Sequence, residues 1–171
     1  MMMQSLADTL TRLRLMDPLV LSFGFERGWV THADVCDYAV QRLAAGESPR
    51  AAVELAIIDI DARHRILDLL HQWGQVEGRP TQDSRHALRV WMFAALYWIA
   101  SSGNDPEQQL DALEDAYAAL GYPPEMRECS RYFVPAADRA IPLGHTTDSP
   151  LEAMRRLLQK TESELGVPQS G

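Results

Sequence analysis

The chain has 171 residues, 46% hydrophobic and 23% charged, which is typical of a folded domain and excludes a disordered chain. Its 16 basic and 24 acidic residues give a formal net charge of -8, which argues against nucleic acid or an anionic membrane as partner, because both are polyanions. Cys36 and Cys129 stand alone without metal-ligand spacing, which predicts free thiols in a reducing compartment.

The hydrophobic pattern has helical period along the chain and offers no convincing strand alternation. A first helix carries Leu6, Leu10 and Leu13 and ends before Asp17-Pro18, because proline disfavours a helical conformation in the preceding residue. This N-terminus lacks a basic segment followed by an apolar one, so we expect a cytoplasmic protein without a signal peptide. The apolar run from Leu19 to Phe25 predicts either a turn of helix or a short extended piece.

Capping residues predict where the next two helices begin. Thr31 is expected to cap one helix, because Asp34 lies three residues later and completes a capping box, and Gly46 is expected to end it. Ser48-Pro49 is typical of the start of a second helix, because a capping hydroxyl precedes a proline at the first helical position. The buried side of this second helix is predicted to consist of Val53, Ala56, Ile57 and Ile60.

The most apolar helix is predicted over Ser84–Ser101, after a helix from Ala62 to Gln75 and a loop over residues 78–83. Its segment Val90 to Ala100 is an unbroken nonpolar run, too short for a bilayer, which needs about 20 residues. A helix that is hydrophobic around its whole circumference is instead buried by its neighbours. We therefore expect Ser84–Ser101 to be the central helix of the fold.

The last third of the chain contains two further helices with recognisable starts. Asp105-Pro106 is expected to begin a helix that ends at Gly121. A short helix is expected from Glu125 to Tyr132, followed by an irregular connection over residues 135–148. Ser149-Pro150 then caps a final amphipathic helix.

The pattern as a whole predicts an all-α fold in a single domain. We expect residues 1–166 to form a helical bundle of about seven to eight helices around Ser84–Ser101. Residues 167–171 are expected to be a frayed C-terminal tail. The oligomeric state is left open by the sequence.

The helix from Asp105 to Gly121 carries an unbalanced acidic face. Its segment contains five acidic residues and no basic one, and like charges three or four residues apart repel each other. Acidic residues without local basic partners have two interpretations. They form either a surface that binds a basic protein or a face that is only solvated. The predicted partner-binding residues are Glu107, Asp111, Glu114, Asp115 and Tyr117.

The alternative chemistry is a metal-dependent hydrolase that uses Asp59, Asp61 and His64. His71 lies two helical turns beyond His64, roughly 10 Å away, which is too far for both to hold one ion. A polar loop in which Asp61 caps the following helix explains the same residues. Since no nucleophile elbow, phosphate loop or dinucleotide motif is present, we predict no cofactor and no metal, and expect binding rather than catalysis.

Two segments of the chain resemble a family of small uncharacterised bacterial helical proteins. The first is Leu110 to Glu125, LDALEDAYAALGYPPE, followed by Arg131 to Pro135, RYFVP; the second is Phe25 to Thr31, FERGWVT. Gly121 departs from the aromatic or acidic residue of that pattern. Some relatives in the family that these segments resemble are encoded beside secreted polymorphic toxins, where small acidic proteins act as immunity factors.

The resemblance implies an immunity-type protein and carries no catalytic residues with it. Together with the acidic face, it leads to the hypothesis of an acidic helical protein that neutralises a basic protein partner, such as a cognate toxin domain. Carboxylates of this protein would then occupy the positions at which that partner binds phosphates. The alternatives are the metal-dependent hydrolase and a structural or oligomerising protein without catalytic activity.

Overall fold

The computed structural model describes residues 2–47, 49–77, 84–134 and 149–167. Over these ranges the chain is helical and contains no strand, which confirms the all-α prediction. None of the helices in these ranges is both long and apolar enough to cross a membrane. The helices are α1 (Met2–Arg12), α2 (Pro18–Glu26), α3 (His32–Ala44), α4 (Arg50–Leu55), α5 (Arg63–Val76), α6 (Ser84–Ser101), α7 (Pro106–Ala119), the 3-10 helix η1 (Pro124–Cys129) and α8 (Pro150–Leu165).

The chain divides into two compact units, residues 1–90 and 91–171, and the boundary between them lies within α6. The prediction of one domain over residues 1–166 therefore stays a prediction. The expected cap Ser48, the loop over residues 78–83 and the connection over residues 135–148 lie outside the described residues, as does the tail after residue 167.

In the first unit α2 packs on α5, and α4 packs on both α3 and α5. The apolar run after Asp17 is helical, because the Asp17 carboxylate accepts hydrogen bonds from the N–H groups of Leu19 and Val20 and caps α2. α2 and α5 approach closely at Gly74, where an added Cβ would lie 2.7 Å from the Leu19 side chain. Thr31 and Asp34 form the predicted capping box of α3.

The predicted buried side of α4 is wrong. Val53, Ile57 and Ile60 are 51%, 85% and 67% exposed, whereas Ala51, Ala52 and Leu55 are buried. The helix ends at Leu55, so the helical spacing that relates Val53 to Ile57 and Ile60 does not describe the backbone beyond that residue. Val53 lies within α4 but off its buried side, so three large apolar side chains remain on the surface of this unit.

The α6 helix has the predicted bounds, and most of its apolar run is buried as predicted, although Ala100 is exposed. Residues 90–96 and Ile99 are at most 3% exposed, while Tyr97 and Trp98 are partly exposed. The aromatic side chains Trp91 and Phe93 are fully buried, as expected of core packing. This long apolar run is therefore a folding element rather than a binding surface.

In the second unit α8 packs on η1 and on α7. Asp105 caps α7, and Ser149 and Glu152 form a capping box at the start of α8, as predicted for both starts. Gly121 follows α7 with a φ of 79°, a left-handed conformation that glycine adopts without strain. The short helix expected up to Tyr132 is a 3-10 helix that ends at Cys129.

Both cysteines are free, and burial raises the pKa of each thiol, that of Cys129 to about 12. The thiolate is the reactive form, and Cys129 is only 2% exposed whereas Cys36 is half-buried. We expect a thiol-specific disulfide reagent at pH 8 to modify Cys36 slowly and Cys129 only after unfolding. Mass spectrometry of the labelled chain checks this, and equal labelling rates at the two cysteines would contradict it.

Candidate protein-binding surface

The acidic face of α7 is bridged by an arginine that lies far away in the sequence. Arg131 Nη1 lies 3.1 Å from Glu107 Oε1, and Arg131 Nη2 lies 2.6 Å from Asp111 Oδ1. The segment from Asp105 to Gly121 contains no base, as the sequence shows, but the fold supplies one from the chain that follows η1. One guanidinium thus pairs with two carboxylates of the face at once.

The two bridged carboxylates remain accessible to a partner. The side chains of Glu107 and Asp111 are 73% and 69% exposed, whereas Arg131 is 26% exposed. Partial burial by itself lowers the pKa of Arg131, but its hydrogen bonds and charge interactions with Asp111 and Glu107 outweigh this effect and raise the pKa. Two negative charges against one positive charge leave this cluster acidic.

Glu114 anchors the segment that carries Arg131. Its carboxylate accepts a hydrogen bond of 2.7 Å from the backbone N–H of Arg131 and one of 3.2 Å from the hydroxyl of Ser130. The same hydroxyl accepts a bond from the N–H of Tyr132, and the carbonyl of Ser130 accepts one from the N–H of Phe133. Glu114 therefore orders the chain after η1 instead of facing a partner freely.

The remaining acidic residues of α7 have different roles. Asp105 is the N-cap and accepts a hydrogen bond from the N–H of Gln108. Asp115 is exposed, and its carboxylate forms no ion pair among the described residues. Of the predicted residues, Asp115 is therefore the carboxylate with the most freedom to pair with an external cation.

Aromatic side chains lie on the same segments of the chain as these charges. The rings of Tyr117 and Tyr122 meet edge to face with centroids 5.1 Å apart, and Tyr122 has a φ of 59°, which is uncommon for a residue other than glycine. Tyr122, Tyr132 and Val134 are 64%, 77% and 80% exposed. A shallow cleft of about 350 Å³ lies beside them, lined by Tyr117, Arg127, Ser130, Tyr132, Phe133 and Val134.

We call this combined area the α7 surface, defined by Glu107, Asp111, Asp115 and Tyr117 together with Tyr132 and Val134. Sequence reasoning found its first four residues from their spacing on one helix. It missed the contribution of Ser130, Arg131 and Tyr132, because nothing in local spacing shows which distant residue folds against α7. The signal available was that Arg131 and Tyr132 belong to the segment that carries the family resemblance.

The acidity of the chain is concentrated in the unit that carries this surface. The described residues of the second unit, 91–134 and 149–167, contain ten acidic and five basic residues. The described residues of the first unit contain eleven acidic and nine basic residues. The α7 surface thus lies in the more negative part of the described chain, where long-range attraction of a cation is strongest.

The alternative metal-binding residues do not assemble into a site. No group of three or more His, Cys, Asp or Glu side chains in the part of the chain that the structure describes could hold a metal ion. Asp59, Asp61 and His64 are all exposed, and Asp59 Oδ1 accepts a hydrogen bond from the N–H of Asp61. Asp61 does not cap α5, whose N-cap is Ala62. His71 Nε2 lies 3.1 Å from the hydroxyl of Ser22.

The fold and the α7 surface define an all-helical protein with an acidic, aromatic face. Comparison with known families shows that the chain belongs to DUF2247, a family described as uncharacterized proteins conserved in bacteria, whose model matches residues 8–164. This confirms the uncharacterised bacterial family expected from the resemblance. No curated protein and no solved structure matches the chain.

Proposed function

We propose that the protein binds a basic protein partner through the α7 surface and neutralises it, in the manner of an immunity protein against a toxin domain. The observation that carries the proposal is the bridge of Arg131 to Glu107 and Asp111, which joins two exposed carboxylates to the segment that carries the exposed Tyr132. The proposal places this binding in the cytoplasm, where free cysteines such as Cys36 and Cys129 persist.

Preorganisation supports this role. A carboxylate that already sits in one position loses little freedom on binding, and such ordering costs are a main reason why interfaces of equal area differ in affinity. Arg131 orders Glu107 and Asp111, and Glu114 orders the chain that presents Tyr132. The free protein therefore already holds the arrangement that a partner would contact.

The residue types at the surface favour a protein over a small molecule. Tyrosine and arginine are the side chains most often found at the energetic centres of protein interfaces. The cleft beside Tyr132 is shallow and open to the surface, unlike the enclosed pockets that take small ligands. Surplus negative charge around it would accelerate association with a basic partner and select against acidic ones.

The test compares two variants with the same change in net charge. Asp111→Asn with Asp115→Asn removes two carboxylates of the α7 surface but leaves Glu114 and its hydrogen bonds intact. Asp8→Asn with Asp37→Asn is the matched control, because both residues are exposed and lie in the other unit. The probe is the purified product of the open reading frame adjacent to this gene, with binding measured by calorimetry over a range of salt concentrations.

We expect the Asp111/Asp115 variant to raise the dissociation constant at least about tenfold at low salt, and to make binding less dependent on salt, because charge pairs at the interface are lost. The control should bind like the unmodified chain. Equal affinity and equal salt dependence in the two variants would contradict the proposal, as would an adjacent gene product that does not bind.

A further inference from the structure

The surface of the first unit carries an apolar segment without a partner. Between Arg50 and Asp61 the chain exposes Val53, Ile57 and Ile60, and Ile57 is the most exposed large apolar residue of the described chain at 85%. Exposed apolar side chains that gather into a patch mark contact surfaces, and these three lie within eight residues of the chain. We call residues 50–61 the α4 segment.

The α4 segment is held in a defined shape. Ile57 N–H donates to the carbonyl of Glu54, Ala62 N–H donates to that of Asp59, and His32 Nε2 lies 2.8 Å from the carbonyl of Ile58. Because its backbone is bonded both locally and to α3, the exposed apolar side chains do not belong to a frayed end. They stand on an ordered part of the unit.

Some charged side chains around the segment have ion-pair or hydrogen-bond partners, and others have none among the described residues. Arg65 pairs with Glu54 at 2.6 Å, and Arg63 donates to the carbonyls of Phe25 and Glu26. The side chains of Arg50 and Asp61 are exposed and have no ion-pair partner among the described residues. The exposed Asp59 likewise has no ion-pair partner among these residues. The segment therefore carries one unpaired positive charge at its beginning and two unpaired negative charges at its end.

Along the segment, the charge at the beginning of one copy is opposite in sign to the charge at the end of another copy. In a two-fold symmetric contact, residue i of one copy meets residue j of the other and the reverse also holds. If two α4 segments meet antiparallel, the beginning of one segment with Arg50 meets the end of the other with Asp61, and the exposed Ile57 of each copy lies between these ends. Such a contact would bury the exposed apolar side chains and pair both charges at once.

We propose that the α4 segment is the contact between two copies of this chain in an antiparallel two-fold dimer. The contact lies in the first unit and does not involve the α7 surface, so the dimer and the proposed function can fail independently. A groove beside α4 is lined by Arg50, Glu54, Trp73 and Val76 among others.

Sedimentation velocity of the full chain over a series of protein concentrations tests the dimer. We expect the mass to rise from 19.2 kDa toward twice that value as concentration increases. Ile57→Asp should remain monomeric where the unmodified chain is dimeric. Val40→Asp, at an apolar position on α3 that is 50% exposed, is the matched control and should dimerise normally. A chain that stays monomeric throughout, or equal effects of the two variants, would overturn the proposal.

Charge exchange tests the antiparallel arrangement. Arg50→Glu and Asp61→Arg should each raise the dissociation constant of the dimer at least about tenfold, because like charges then face each other. The double variant should restore dimerisation, since each copy then carries both exchanged charges. Asp61 is exchanged rather than Asp59, because the Asp59 carboxylate accepts a hydrogen bond from the N–H of Asp61 and shapes the turn. Failure of the double variant to restore the dimer would overturn the antiparallel pairing.

Discussion

Replacement of Trp73 by alanine is expected to lower the free energy of unfolding by about 3–5 kcal/mol, the usual cost of removing a buried tryptophan. Trp73 lies in α5, is 1% exposed and contacts the ring of Tyr38 with centroids 5.4 Å apart. The cost is large because domains of this size are stable by only about 5–15 kcal/mol. Urea unfolding followed by far-ultraviolet circular dichroism measures it.

A second reason for a large effect is that Trp73 supports a charged network. The guanidinium of Arg42 lies 5.3 Å from the Trp73 ring and forms ion pairs of 2.5 Å with Glu47 and with Glu77. Arg42 also donates to the Tyr38 hydroxyl, and burial raises the pKa of that phenol. Loss of the indole removes a ring that both the Arg42 guanidinium and the Tyr38 ring lie against.

The control for this prediction is Trp98→Ala, which removes the same side chain from a partly exposed position of α6. We expect a smaller loss of stability there, because less apolar surface is buried and the cavity opens to solvent. If Trp73→Ala costs no more than Trp98→Ala, the assignment of Trp73 as a main contributor to the core of the first unit is wrong.

Replacement of Glu114 by alanine is expected to release the chain after η1. Hydrogen bonds to a charged group contribute about 1.5–3 kcal/mol, and Glu114 accepts two, from Ser130 and Arg131. This corresponds to roughly ten- to hundredfold faster hydrogen exchange at the Arg131 amide. Nuclear magnetic resonance or mass spectrometry of exchange at residues 130–134 measures it.

The neighbouring carboxylate provides the matched control. Asp115→Ala makes the same change in charge one residue away, at an exposed side chain without an ion pair among the described residues. We expect exchange at Arg131 to be unchanged in this variant. If the Arg131 amide stays protected in Glu114→Ala, Glu114 is not the anchor of the segment.

The same pair separates two contributions to the proposed partner binding. Glu114→Ala should weaken binding by disordering Tyr132, and this loss should persist at high salt because it is a loss of ordered contact area. Asp115→Ala should weaken binding only at low salt, since an exposed charge without an ion pair acts mainly through long-range attraction. Identical salt profiles would show that the two carboxylates have the same role.

The exposed isoleucines of the α4 segment show where sequence patterns stop being informative. Val53, Ile57 and Ile60 have the spacing of a buried helical side, yet all three are exposed. The helix ends at Leu55, before Ile57 and Ile60, and within it Ala51, Ala52 and Leu55 are buried instead of Val53. Spacing states which residues share a side only while the backbone is helical. It does not state whether that side meets a neighbour in the same chain.

The acidic face shows the same limit for charges. The spacing of Glu107 and Asp111 placed them on one side of α7 correctly, and their exposure agrees with that side being at the surface. The sequence could not show that Arg131 pairs with both or that Glu114 anchors a following segment. These contacts join residues 16 to 24 positions apart. Local periodicity relates only residues that lie within a few positions of each other, so it does not predict such contacts.

The sequence by itself determined the helices of this protein and many of their starts. Helical period, the caps Thr31, Asp105 and Ser149, and the apolar run of α6 all act within a few residues, so they can be read locally. Only the tertiary structure decided which faces are covered and which carboxylates are bridged. Packing and ion pairing depend on which distant segments meet, and that is a property of the folded chain.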